Sequence, residues 1–96
     1  MARNYRLSKK ADNGLIKIWR DIYPDNPVAA DALYLRVLQR IKLASEHPSM
    51  GSPHPEFGKN ARMLVEGNYK IVYVPATDGI LVTAIVHARR LPANWL

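Results

Sequence analysis

The chain contains no cysteine, a single phenylalanine and only five glycines in its 96 residues. Without thiols there is no disulfide staple, no thiolate nucleophile and no cysteine-based zinc ribbon. An intracellular, reducing, cytoplasmic setting is the expectation that follows. No apolar run comes near the roughly 20 residues that a membrane-spanning helix requires. The basic N-terminal stretch, with Arg3, Arg6, Lys9 and Lys10, is not followed by the apolar segment of a secretory signal. Acids are scarce as well: eight, against fourteen lysines and arginines, with none after Asp78. The net charge of +6 favours an anionic partner such as nucleic acid, an acidic protein or a membrane surface, although surplus cations also serve solubility alone. Also missing are the P-loop, the glycine-rich dinucleotide turn and the Gly-x-Ser-x-Gly nucleophile elbow.

What is present reads as one domain over residues 1–96. A hydrophobic share of 48% with 23% charged residues is that of a globular chain, not a disordered one. Two runs rich in β-branched and aromatic residues, Tyr69–Val74 and Leu81–Val86, predict strands. The Pro75-Ala76-Thr77-Asp78-Gly79 connection is too short for a parallel crossover, so the pair should be an antiparallel hairpin. Upstream, Asn4–Leu7 alternates like a short strand. Ser8 should then cap a helix reaching about Tyr23, with Ala11, Leu15, Ile18, Trp19 and Ile22 on one face. Gly14 is expected to weaken that helix by roughly 1 kcal/mol relative to alanine.

Pro24-Asp25-Asn26-Pro27 breaks the first helix, and Asn26-Pro27 starts a second that should run to about Glu46. Ala30, Leu33, Tyr34, Val37, Leu38, Ile41 and Ala44 form its inner stripe, with Arg36, Arg40 and Lys42 turned to solvent. Ser49–Lys59 reads as a loop, and Arg62–Val65 as a further strand. The expected fold is α+β: an N-terminal strand and an antiparallel helical hairpin on a small, mainly antiparallel sheet of about four strands. Alternation sends Tyr69, Ile71 and Tyr73 to one face, and groups Val82 with Ala84 and Val86. Neither face is cleanly polar, so the face away from the helices should be covered, another chain being one candidate.

His47, His54 and His87 fall at a helix end, in a loop and at a strand end, a scatter that does not predict a metal site. No cofactor is expected either. Glu66 and Asp78 sit in turns, where carboxylates are ordinarily solvated. One group stands above background: Arg62, Lys70, His87, Arg89 and Arg90. Clustered cations of this kind can clamp phosphate or carboxylate and stabilise developing charge on a phosphodiester, as a metal-free ribonuclease would need, or simply guard a sheet edge. Trp95 either packs back on the sheet or belongs to a partner surface. Trp19 and Tyr34, at stripe positions, read as core residues.

Several segments together resemble one family: Tyr5-Arg6-Leu7-Ser8-Lys9-Lys10-Ala11, the Ile18-Trp19 helix and His47-Pro48-Ser49-Met50-Gly51. Gly67-Asn68-Tyr69-Lys70-Ile71-Val72-Tyr73 and Ile85-Val86-His87-Ala88-Arg89 complete the set. They resemble ParE-type toxins of the RelE/ParE superfamily of bacterial type II toxin–antitoxin systems, in the right order along essentially the whole chain. The resemblance implies the helical-hairpin-on-sheet fold. In RelE-like ribonucleases, basic residues would stand at Arg62, Lys70 and Arg89. Leu64 replaces a lysine of that branch, and Trp95 falls roughly where it has a proton-transferring tyrosine. The ParE-like branch implies inhibition of DNA gyrase without catalysis, with His87, Arg89, Arg90 and Trp95 as the target-inhibiting residues. It also implies a ParD-like antitoxin in a hetero-oligomer, for which Trp19, Tyr23, Tyr34, Leu35 and Leu38, chosen from the outer helix surface and sheet edge, are the expected contacts. Direct binding to nucleic acid by the toxin alone is not expected. A third reading is an inactive toxin-like interaction module.

Overall fold

In the computed structural model, which describes residues 4–90, the chain forms two layers, a helical hairpin on a five-stranded mixed sheet. The elements are β1 (Asn4–Leu7), α1 (Lys9–Ile22), α2 (Pro27–Glu46), β2 (Ser52–Pro53), β3 (Arg62–Glu66), β4 (Tyr69–Ala76) and β5 (Gly79–His87). Single 3-10 turns cover Pro55–Phe57 and Ala88–Arg90. The strand order is β1-β5-β4-β3-β2, with β1 parallel to β5 and every other pair antiparallel. The strand beyond the expected four is β2, two residues that pair with β3 inside what reads as a loop.

Both helix starts form as their caps dictate. The Ser8 hydroxyl accepts the Ala11 N–H at 3.0 Å and donates to the Thr83 carbonyl at 3.2 Å, so the cap also fastens α1 to β5. The Asn26 side chain accepts the Ala29 N–H at 3.0 Å ahead of Pro27. Ala11, Leu15 and Ile18 of α1, with Leu33, Val37, Ile41 and Ala44 of α2, bury against Leu64, Ile71, Tyr73, Ile80, Val82 and Ile85. Each leucine, isoleucine or valine among them contributes about 1.5–3 kcal/mol by leaving water, before entropy is counted.

Three expectations change here. The β4–β5 reversal is tighter than the five-residue connection: both strands continue to Ala76 and Gly79, leaving Thr77 and Asp78 as the turn. Gly79 has φ +153°, and a Cβ there would collide with the Asn4 carbonyl, so glycine is what lets β1 lie alongside β5. Alternation in β5 is also broken. Val72 pairs with Ala84 but Tyr73 with Val82, so Thr83 is an extra, bulged residue. Val82 and Ile85 therefore both join the helix-side core, while Ala84 faces the other way. Finally, the face away from the helices is covered in part by the chain itself. Phe57 and Ala61 pack over Met63, Val72 and Ala84 as a second small core, because the proline-rich 52–61 segment folds back across the sheet.

Two helix-surface expectations also change. Trp19 is half-buried and outside the core, with its indole N–H donating to Asp31 at 2.8 Å and its ring 4.5 Å from that of Tyr23. Tyr34 does pack against the core. Arg36 is exposed as expected, though it pairs with Glu66 at 3.4 Å, whereas Arg40 is half-buried and donates to the Val65 carbonyl at 3.5 Å.

Candidate functional site

The sheet register separates the basic cluster that the sequence groups together. Arg62 pairs with Tyr73 and shares the helix-side face, whereas Lys70 pairs with Val65 and Val86 on the opposite face. The Arg62 guanidinium is also engaged: one nitrogen donates to the carbonyls of Gly51 at 2.7 Å and Ser49 at 3.1 Å. His87 pairs with Tyr69 at the far end of the hairpin, so the strands hold it apart from Arg62. Arg62, Lys70 and Arg89 therefore do not converge on one point. Trp95 lies outside the described residues.

His87, Arg89 and Arg90 do come together, at the end of β5 and in the turn that follows. The His87 ring stands edge-on to Tyr69 at 5.3 Å, and its Nδ1 accepts the Arg89 N–H at 3.1 Å. With Lys17, Ile18 and Asp21 of α1, these residues line a cleft of about 280 Å³. Lys17 and Asp21 are bonded at 2.9 Å across one helical turn. That hydrogen bond holds the Asp21 carboxyl below its ordinary range, with Lys17, Arg90 and Arg20 adding electrostatic support, so the acid stays ionised.

A second concavity, of about 380 Å³, runs between α2 and β1 and is lined by Tyr5, Leu35, Leu38, Gln39, Lys42, Leu43 and Glu46. Of the residues expected on an antitoxin surface, Leu35 and Leu38 lie in it. Trp19 and Tyr23 lie against each other with their rings tilted by 38°, at the other end of the helical hairpin. Leu35 is 58% exposed and Leu43 42%, and both lie in this concavity. Leu43 escaped the sequence reading because it lies off the inner stripe. The spacing of Leu35, Gln39 and Leu43, four residues apart each time, was the available signal. Tyr69, Lys17 and Asp21 were likewise missed in the cleft, and only the Lys17–Asp21 spacing announced a pair.

No group of three or more metal-ligating side chains occurs among the described residues, and no helix there is long and apolar enough to cross a membrane.

A helical hairpin laid on a small mixed sheet is also the frame of a chain from the chromosomal ParDE toxin–antitoxin system of P. aeruginosa. That chain superposes with a TM-score of 0.74 over 90% of this chain and 96% of its own, at 15% identity, a likeness of fold. No curated protein matches the sequence. The family model described as "ParE toxin of type II toxin-antitoxin system, parDE" matches residues 5–92, and the chain belongs to that toxin family.

Proposed function

We propose that this ParE-family toxin inhibits DNA gyrase and is neutralised by a ParD-like antitoxin whose segment lies along the α2 groove. The antitoxin half rests on exposed leucines in a chain of net charge +6, a surface suited to an amphipathic, acidic segment that folds on binding. The observation that carries gyrase inhibition over RNA cleavage is the position of Arg62. One of its terminal nitrogens is held by two loop carbonyls, and its strand register puts it on the face opposite Lys70. A ribonuclease without metal needs those cations converging on one phosphodiester.

Supercoiling by purified gyrase, measured with and without the protein, tests the reading, with RNA cleavage on translating ribosomes run in parallel. Loss of supercoiling, or accumulation of cleaved DNA, with intact RNA is the expected result. Active gyrase with cut mRNA would replace it by the ribonuclease reading.

For the antitoxin, Leu35→Ala is the clean probe, because Leu35 is exposed and its truncation should change stability by no more than about 0.5 kcal/mol. Leu38 packs against the core, so its substitution also costs folding energy. Leu35→Ala should weaken antitoxin affinity about tenfold, the effect of roughly 1.4 kcal/mol at a buried contact. Calorimetric titration giving an unchanged Kd would remove α2 from the interface.

A further inference from the structure

The cleft between α1 and the end of β5 shares no lining residue with the α2 groove, and its chemistry is different. The buried Ile18 and Ile85 give it an aliphatic floor, while its charged residues, Lys17, Asp21, Arg89 and Arg90, are the exposed part of the lining. All of these but Asp21 are donors. Arg89 and Arg90 are exposed, and neither is ion-paired within hydrogen-bond range among the described residues. Because His87 Nδ1 accepts the Arg89 N–H, the neutral ring carries its proton on Nε2 and offers a further donor. Asp21 is the single acid in the lining and is already bonded to Lys17.

We propose that this cleft binds an acidic peptide segment of the toxin's target protein, with an apolar side chain on the floor and flanking carboxylates on Arg89 and Arg90. Guanidinium groups hold carboxylates through paired hydrogen bonds. A nucleotide fits less well, because the polar edges of a base would be stripped of water on a floor that offers them no partner. At about 280 Å³ the cleft admits one side chain and its neighbours, not a helix. The antitoxin groove proposed on α2 shares no residue with this cleft, so the segment is assigned to the target and not to the antitoxin. The inference rests on the reading that the chain acts on a protein, but its test uses no gyrase, so the two can fail separately.

The test is an NMR titration of the ¹⁵N-labelled full chain with the capped peptide acetyl-Glu-Asp-Leu-Asp-Glu-amide. Saturating shifts are expected at the Gly14, Ile18, Val86 and Arg89 amides, with a Kd on the order of 1 mM or tighter. Arg89→Glu with Arg90→Glu, both at exposed positions, should weaken binding at least tenfold while the remaining resonances keep their dispersion. Leu35→Asp, in the other groove, should leave it unchanged. The antitoxin-bound complex should still take the peptide. Absence of shifts, shifts confined to α2, or equal affinity in the charge-reversed variant would each overturn the proposal. So would exclusion of the peptide by antitoxin, or tighter binding of a 5′-phosphorylated thymidine dinucleotide.

Discussion

Replacing Tyr73 by alanine is expected to cost about 3–5 kcal/mol, the range for truncating a large buried aromatic side chain. Tyr73 is fully buried under the helices, and its hydroxyl does two jobs at once. It donates to the Pro48 carbonyl at 2.7 Å and accepts the Gly51 N–H at 2.9 Å, pinning the segment that leaves α2 to the middle of the sheet. Tyr73→Phe separates the two contributions. It keeps the ring and leaves the two backbone groups unpaired, which should cost about 1–3 kcal/mol. Urea unfolding of the three proteins decides the matter. A phenylalanine variant as stable as the parent would mean that the loop finds other partners and that the hydroxyl does not anchor it. Because Arg62 donates to Ser49 and Gly51 in the same segment, loosening it should also release that guanidinium.

Gly14→Ala should destabilise the protein by about 2 kcal/mol, although alanine favours an isolated helix by roughly 1 kcal/mol. The two effects oppose each other, and geometry decides. A Cβ at position 14 would overlap the backbone carbonyl of Ile85, in a strand paired on both sides by β1 and β4. A backbone oxygen so placed cannot swing aside as a side chain could. α1 must lift instead, drawing Leu15 and Ile18 from the core and widening the cleft beside His87. The sign is checked by comparing two molecules: circular dichroism of an α1 peptide should gain helicity with alanine, while the whole chain should lose its urea midpoint. A raised midpoint in the protein would show that the helix can ride higher on the sheet without loss.

The elements were legible because their signals are local. The Ser8 and Asn26 caps, the proline break between the helices and the β-branched runs each act over a few residues of chain. The family was legible for a similar reason, since the segments that carry the resemblance recur in order along the chain. The cation cluster was legible only in part, since His87, Arg89 and Arg90 do share one cleft but Arg62 and Lys70 are not in it. Arg62 and Lys70 look like neighbours on one sheet, yet register puts them on opposite faces. Strand alternation from Val82 onward misled for a comparable reason: a bulge at Thr83 reverses the faces, and nothing in a valine-rich run marks where an extra residue will be inserted. Gly14 read as a flaw in a helix because its justification, the carbonyl of Ile85, lies 71 residues away in the chain (85 minus 14).

By itself the sequence determined which stretches coil and which extend, that the helices would cover one side of a sheet, and that the chain carries a surplus of positive charge. These follow from propensity, periodicity and composition, which need no knowledge of what lies across the core. Only the tertiary structure decided which cations share a surface, how the 52–61 segment closes the second face, and that the cleft and the α2 groove are separate. Those outcomes depend on register and on which distant backbones touch, and a one-residue slip in either moves a side chain to the other face of the sheet.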